Sequence, residues 1–118
     1  MSRVTIYHNP KCSKSRQTLE LLEEKAIDPA IVLYLENPPT ETELKETLGK
    51  LGISARGLIR SGEQVYKDLG LDDEKLSEDA LITAMVNNPI LIERPVVITK
   101  NRAKIGRPPE SVLEILDQ

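Results

Sequence analysis

The chain has 118 residues, with 16 lysines and arginines against 19 aspartates and glutamates, one histidine, one cysteine, three tyrosines and no phenylalanine or tryptophan. That length suits one domain with a single buried core, a lone cysteine excludes an internal disulfide framework, and a formal net charge of −3 with so few aromatic rings is poor material for binding nucleic acid. No apolar run is long enough to span a membrane or to act as a signal peptide, so the expectation is a cytoplasmic protein with neither a nucleic-acid nor a membrane partner.

In chain order, Val4, Ile6 and Tyr7 predict a first strand, and His8-Asn9-Pro10 is a turn signal. Ser13 offers an N-cap for a helix whose Ser15, Leu19, Leu22 and Ala26 fall on one face. Asp28-Pro29 breaks that pattern, and the apolar run from Ala30 to Leu35 reads as a second strand covered on both faces. Strand, helix and strand in this order imply a parallel pair with a right-handed crossover.

Thr40-Glu41-Thr42-Glu43 is a capping box for a helix through Leu44, Leu48 and Leu51 to Gly52. Weaker helical pieces follow at 54–59 and 64–69, and Ser77 caps a helix carrying Leu81, Ile82, Met85 and Val86 that stops at Asn87-Asn88-Pro89. Val96 to Thr99 predicts a strand, Lys100-Asn101 a hairpin turn and Ala103 to Ile105 a short edge strand. Glu110 to Leu116 then reads as a closing helix with Val112, Leu113 and Leu116 available for burial. The expected fold is α/β: one domain over 1–118, with the thioredoxin-like order β-α-β then β-β-α, a mixed sheet, and a helical insertion at about 40–88 between the halves.

The chemistry gathers in the first turn. Cys12 falls at the start of the first helix, where unpaired amides and the helix dipole favour an anion and push a thiol towards thiolate. Lys11, Lys14 and Arg16 surround it, and no acidic residue precedes Glu20. The same segregation recurs: residues 1–19, 47–62 and 94–109 contain no acid yet carry twelve of the sixteen lysines and arginines. Three such stretches brought to one spot would make an anion site in an acidic protein. Arg60, Arg94 and Arg107 each border apolar residues there, and a guanidinium fork suits a tetrahedral oxyanion. His8, at the strand end, reads equally well as a structural or a catalytic residue. No metal site is expected.

Five segments in register carry a resemblance: Tyr7 to Arg16 (YHNPKCSKSR), Leu33 to Pro39 (LYLENPP), Leu58-Ile59-Arg60, Asn88 to Pro95 (NPILIERP) and Arg107-Pro108. Through them the chain resembles the glutaredoxin-coupled arsenate reductase family over nearly its whole length. The resemblance implies that Cys12 is the nucleophile that attacks arsenic, that His8 tunes its thiolate, and that Arg60, Arg94 and Arg107 bind the oxyanion with Lys11 beside them. It also implies that Pro95 follows a cis peptide bond. Reduction of arsenate to arsenite takes two electrons, and this chain has one thiol, so glutathione is the implied co-substrate and glutaredoxin the implied partner. No bound cofactor is expected, and a monomer is the expected state.

Other readings of the same residues are poorer. A dithiol oxidoreductase needs Cys-x-x-Cys, and Ser15 stands at the fourth position. The phosphatase-like arsenate reductases need Cys-x5-Arg, where this chain has Thr18. The alternatives carried forward are an Spx-type regulator that binds RNA polymerase, and a related glutathione-dependent reductase with another substrate.

Overall fold

The computed structural model describes residues 4–116, and the contacts within the chain divide it into two units, 4–37 with 94–116, and Pro38–Glu93. The first unit holds strands β1 (Thr5–Tyr7), β2 (Ala30–Val32), β3 (Val96–Ile98) and β4 (Ala103–Ile105) and helix α1 (Ser13–Glu24). The strands form one mixed sheet in the order β2-β1-β3-β4, with β1 parallel to β2 and antiparallel to β3. Ile6 lies opposite Val97 in that sheet. These two side chains meet Leu22 of α1 and Val112 and Ile115 of the C-terminal segment in a continuous core. The pleat sends Tyr7 and Val96, also opposite each other and buried, to the other face.

Three expectations give way here. Only the first half of the run Ala30 to Leu35 is strand, and β2 lies at the sheet edge with Ile31 49% exposed, so it is not covered on both faces. The apolar character of the run reflects Tyr34, which is fully buried after the chain turns through Leu33 O, the acceptor for both the Glu36 and Asn37 amides. Ala26 does not continue the face of α1. It adopts the left-handed conformation at φ 61° just beyond the helix end, and the Ile27 N–H closes back on Leu22 O at 2.9 Å. The closing helix, finally, is a 3-10 helix over Pro109–Ile115 that buries Val112 and Ile115, while Leu113 and Leu116 are only partly covered. Three residues per turn place Val112 and Ile115 on one line, which explains the exchange.

The second unit contains α2 (Glu41–Leu51), α3 (Ala55–Leu58), α4 (Gln64–Asp68) and α5 (Glu78–Asn87), then a 3-10 turn at Pro89–Leu91. Thr40 and Glu43 make both bonds of the capping box, and Gly52 ends α2 in the left-handed conformation at φ 72°. Helix α5 packs on α2 and α3, and Glu78 accepts the Ala55 N–H at the start of α3 at 2.7 Å. An antiparallel bridge joins Ile59 to Ile92, flanked by bonds from Arg60 N–H to Leu91 O at 2.7 Å and from Glu93 N–H to Leu58 O at 3.0 Å. Among the described residues no helix is long and apolar enough to cross a membrane.

Candidate active site

The loop after β1 is built by its own short-range bonds. Asn9 O accepts the Cys12 N–H at 2.9 Å, closing a turn with Pro10 at its second position, and Asn9 Oδ1 accepts the Lys11 N–H at 3.0 Å. Arg16 reaches back from the first turn of α1 and donates from Nη1 to Pro10 O at 2.8 Å. The N-cap is Cys12 itself, one residue before the serine that sequence suggests, with an extended backbone at φ −96° and ψ 123°. A sulfur therefore occupies the position where a hydroxyl or carboxylate ordinarily receives the first free amides of a helix.

This placement decides the thiol's acidity. Partial burial pushes the Cys12 thiol up, but the Ser15 amide, the Arg94 guanidinium through hydrogen bond and charge, and the Lys14 amide all favour the thiolate. They prevail, and the thiol lies below its ordinary value. Arg107 comes to the same sulfur, with Nη2 3.7 Å from Sγ, while its Nε donates to Arg94 O at 2.8 Å. The residue before it allows that approach: a Cβ on Gly106 would stand 2.6 Å from Thr18 Oγ1 and 2.8 Å from Pro95 Cγ, so the loop presses closely on α1 and Pro95. The Arg94–Pro95 peptide is cis, and so is Arg107–Pro108, which nothing in the sequence flagged.

His8 is buried and does not act on the sulfur by charge. Burial, and secondarily the positive charge of Arg16, lowers its pKa below the ordinary imidazole value, so the ring is neutral at neutral pH. Its Nδ1 lies 2.7 Å from Ser15 Oγ, which also accepts the Asn9 N–H at 3.0 Å. A serine hydroxyl can accept from Asn9 and donate to the unprotonated Nδ1 of a neutral ring at the same time. Ser15 is thus the buried hub that ties His8 to the Cys12 turn. Sequence reasoning placed it on the buried helix face without seeing this role. Its signal was a small hydroxyl on an apolar stripe, three residues after the cysteine.

Cys12, His8, Lys11, Arg94, Pro95 and Arg107 all lie in the sheet unit, and Arg94 and Arg107 meet at the sulfur. Lys11 is exposed, and its amide serves the turn. Arg60 belongs to the helical unit. There its Nε donates to Glu63 Oε2 at 3.0 Å and its Nη1 to Glu93 Oε1 at 2.5 Å. These glutamates stand just outside two of the acid-free stretches, after residue 62 and before residue 94, so charge segregation along the chain does not survive at Arg60. Among the described residues no three His, Cys, Asp or Glu side chains gather as a metal ion would require.

Residues 7–115 match the model of the ArsC family. The uncharacterized protein YfgD of Escherichia coli is 56% identical over 115 residues, 97% of either chain. An arsenate reductase of Escherichia coli is 47% identical over 116 residues, 98% of this chain and 82% of its own. The solved structure of the arsenate reductase from Vibrio cholerae, 53% identical, matches with a TM-score of 0.94 over 97% of this chain and 98% of that one. The mixed sheet with α1 at its back is accordingly the thioredoxin-like α/β fold of these proteins. With the family model spanning nearly all of the sequence, and relatives this similar along its whole length, the chain belongs to the ArsC family.

Proposed function

We propose that this chain is a cytoplasmic arsenate reductase, acting as a monomer, whose Cys12 forms a thiol–arsenate adduct that glutathione and glutaredoxin resolve. The observation that carries the reading is the sulfur at the N-terminus of α1 with Arg94 and Arg107 beside it, in a chain with one cysteine. The names of its ArsC relatives and solved neighbours supply the substrate.

The residues divide the work. Cys12 enters as a thiolate and displaces an oxygen of arsenate as water, giving a Cys12–S–As(V) bond. Arg94, Arg107 and the free amides at the start of α1 stabilise the negative charge on the arsenic-bound oxygens. Glutathione displaces a second oxygen, which also leaves as water with the glutathione proton, and forms an As–S bond. A glutaredoxin thiolate then attacks the glutathione sulfur, and the electron pair of the broken As–S bond stays on arsenic, reducing As(V) to As(III). Water releases arsenite and restores the Cys12 thiol. The two electrons come from glutathione and glutaredoxin, which leave joined as a mixed disulfide, because a second thiol is absent from this sequence. His8 is a positioning residue that acts through Ser15, and Arg60 is assigned to the oxyanion on the resemblance described above.

The test is arsenate-dependent NADPH oxidation by the purified chain with glutathione, glutaredoxin and glutathione reductase, run beside Cys12→Ser. Turnover should require arsenate, glutathione and Cys12 together. Substantial turnover by folded Cys12→Ser would remove the nucleophile assignment, and none from the wild-type chain would remove arsenate as the substrate.

A further inference from the structure

We propose that Glu93 is a built-in counter-ion that competes with the oxyanion for Arg60 and thereby weakens anion binding. The proposal rests on the reading of Arg60 as an oxyanion ligand. A guanidinium offers a bidentate grip along two edges, one made by Nε and a terminal nitrogen, the other by the two terminal nitrogens. Glu63 takes Nε and Glu93 takes Nη1, so each edge already has one donor committed. A tetrahedral oxyanion that grips Arg60 along either edge therefore meets a nitrogen that already serves a carboxylate.

The two carboxylates are placed differently. Glu63 is three residues from Arg60, at the start of the turn that leads into α4, and holds the guanidinium from its side edge. Glu93 is 33 residues away and is brought opposite by the backbone itself, through the Ile59–Ile92 bridge and the two amide bonds that flank it. Its carboxylate is therefore part of the architecture rather than a passing surface partner. Side-chain exposures of 23% for Arg60 and 28% for Glu93 leave the pair less screened than an open surface pair. Displacing Glu93 frees the end edge while Glu63 still orients the fork, so Glu93 is the residue that sets affinity.

The measurement is the calorimetric dissociation constant for arsenate in the Cys12→Ser background, where no covalent adduct forms, compared across Glu93→Gln, Arg60→Ala and the double variant. Glutamine keeps a carbonyl acceptor for Nη1 and removes only the charge, and Glu93→Asn serves as a second neutral variant should the first unfold. Glu93→Gln should tighten arsenate binding by about fivefold, the scale of a partly exposed ion pair. In the Arg60→Ala background the same change should have no effect. Unchanged or weaker binding by Glu93→Gln, with weaker binding by Arg60→Ala, overturns the proposal and makes Glu93 an orienting partner, leaving the oxyanion role of Arg60 intact. Binding that Arg60→Ala leaves unaltered overturns both.

Discussion

Replacing Ser15 with alanine removes one oxygen from the centre of the Cys12 loop. Ser15 is fully buried, and its Oγ meets the Asn9 N–H at 3.0 Å and His8 Nδ1 at 2.7 Å, both on residues no more than 9% exposed. Each buried polar group left without a partner costs about 1–3 kcal/mol, and the hydroxyl's own desolvation offsets part of this, for a net loss of about 2–3 kcal/mol. At about 2.1 cal/mol/K per residue, 118 residues unfold with an entropy of about 0.25 kcal/mol/K. Tm should therefore fall by about 8–12 °C in a thermal melt followed by circular dichroism. The loosened Asn9 turn should also carry Cys12 away from the helix amides. Its alkylation by iodoacetamide, measured at 25 °C where both proteins are folded, should then need a higher pH. A fall in Tm smaller than about 3 °C with an unchanged alkylation profile would refute the reading of Ser15 as the hub.

Arg94→Ala should move the alkylation profile of Cys12 to higher pH, because partial burial, which opposes the thiolate, remains while the guanidinium that helps outweigh it is gone. Solvent screening holds the loss of reactivity at pH 7 to about three- to tenfold, and an unaltered profile would separate Arg94 from the sulfur. His8 gives a stability prediction with a definite sign. Its folded pKa lies below the unfolded value of 6.5, so the unfolded chain binds the extra proton first and stability is lost as pH falls from 6.5 through the folded pKa. Between pH 7 and pH 5 the wild-type Tm should drop further than that of His8→Gln, and parallel curves would show that His8 is not held neutral by its surroundings.

The strand, turn and helix around Cys12 were legible because their causes are local. A β-forming run, Asn-Pro and a polar helix start lie within a dozen residues, and the bonds that build the turn join Asn9, Lys11 and Cys12. The same holds for α2, where Thr40 and Glu43 are three apart and Gly52 supplies the left-handed stop. What sequence could not rank were choices made between distant segments. The apolar run from Ala30 to Leu35 has the composition of a buried strand, but only the position of β2 at the sheet edge shows that it is short and half-exposed. The periods of a helix and a 3-10 helix are too close to separate over seven residues, so contact with the core selected Val112 and Ile115.

Charge shows the division most clearly. Sequence alone determined that this protein has one thiol, that basic residues surround it, and that a two-electron reduction driven by disulfide formation must borrow a second thiol. Tertiary structure decided which cations reach the sulfur and which are already engaged. Arg94 and Arg107 come to Cys12 because β3 pairs with β1 and the Gly106 loop presses on α1, while Arg60 faces Glu63 three residues on and Glu93 because a β-bridge sets Ile92 against Ile59. Coulomb interactions depend on distance in space, and a distance of 33 residues along the chain says nothing about one of 2.5 Å across it.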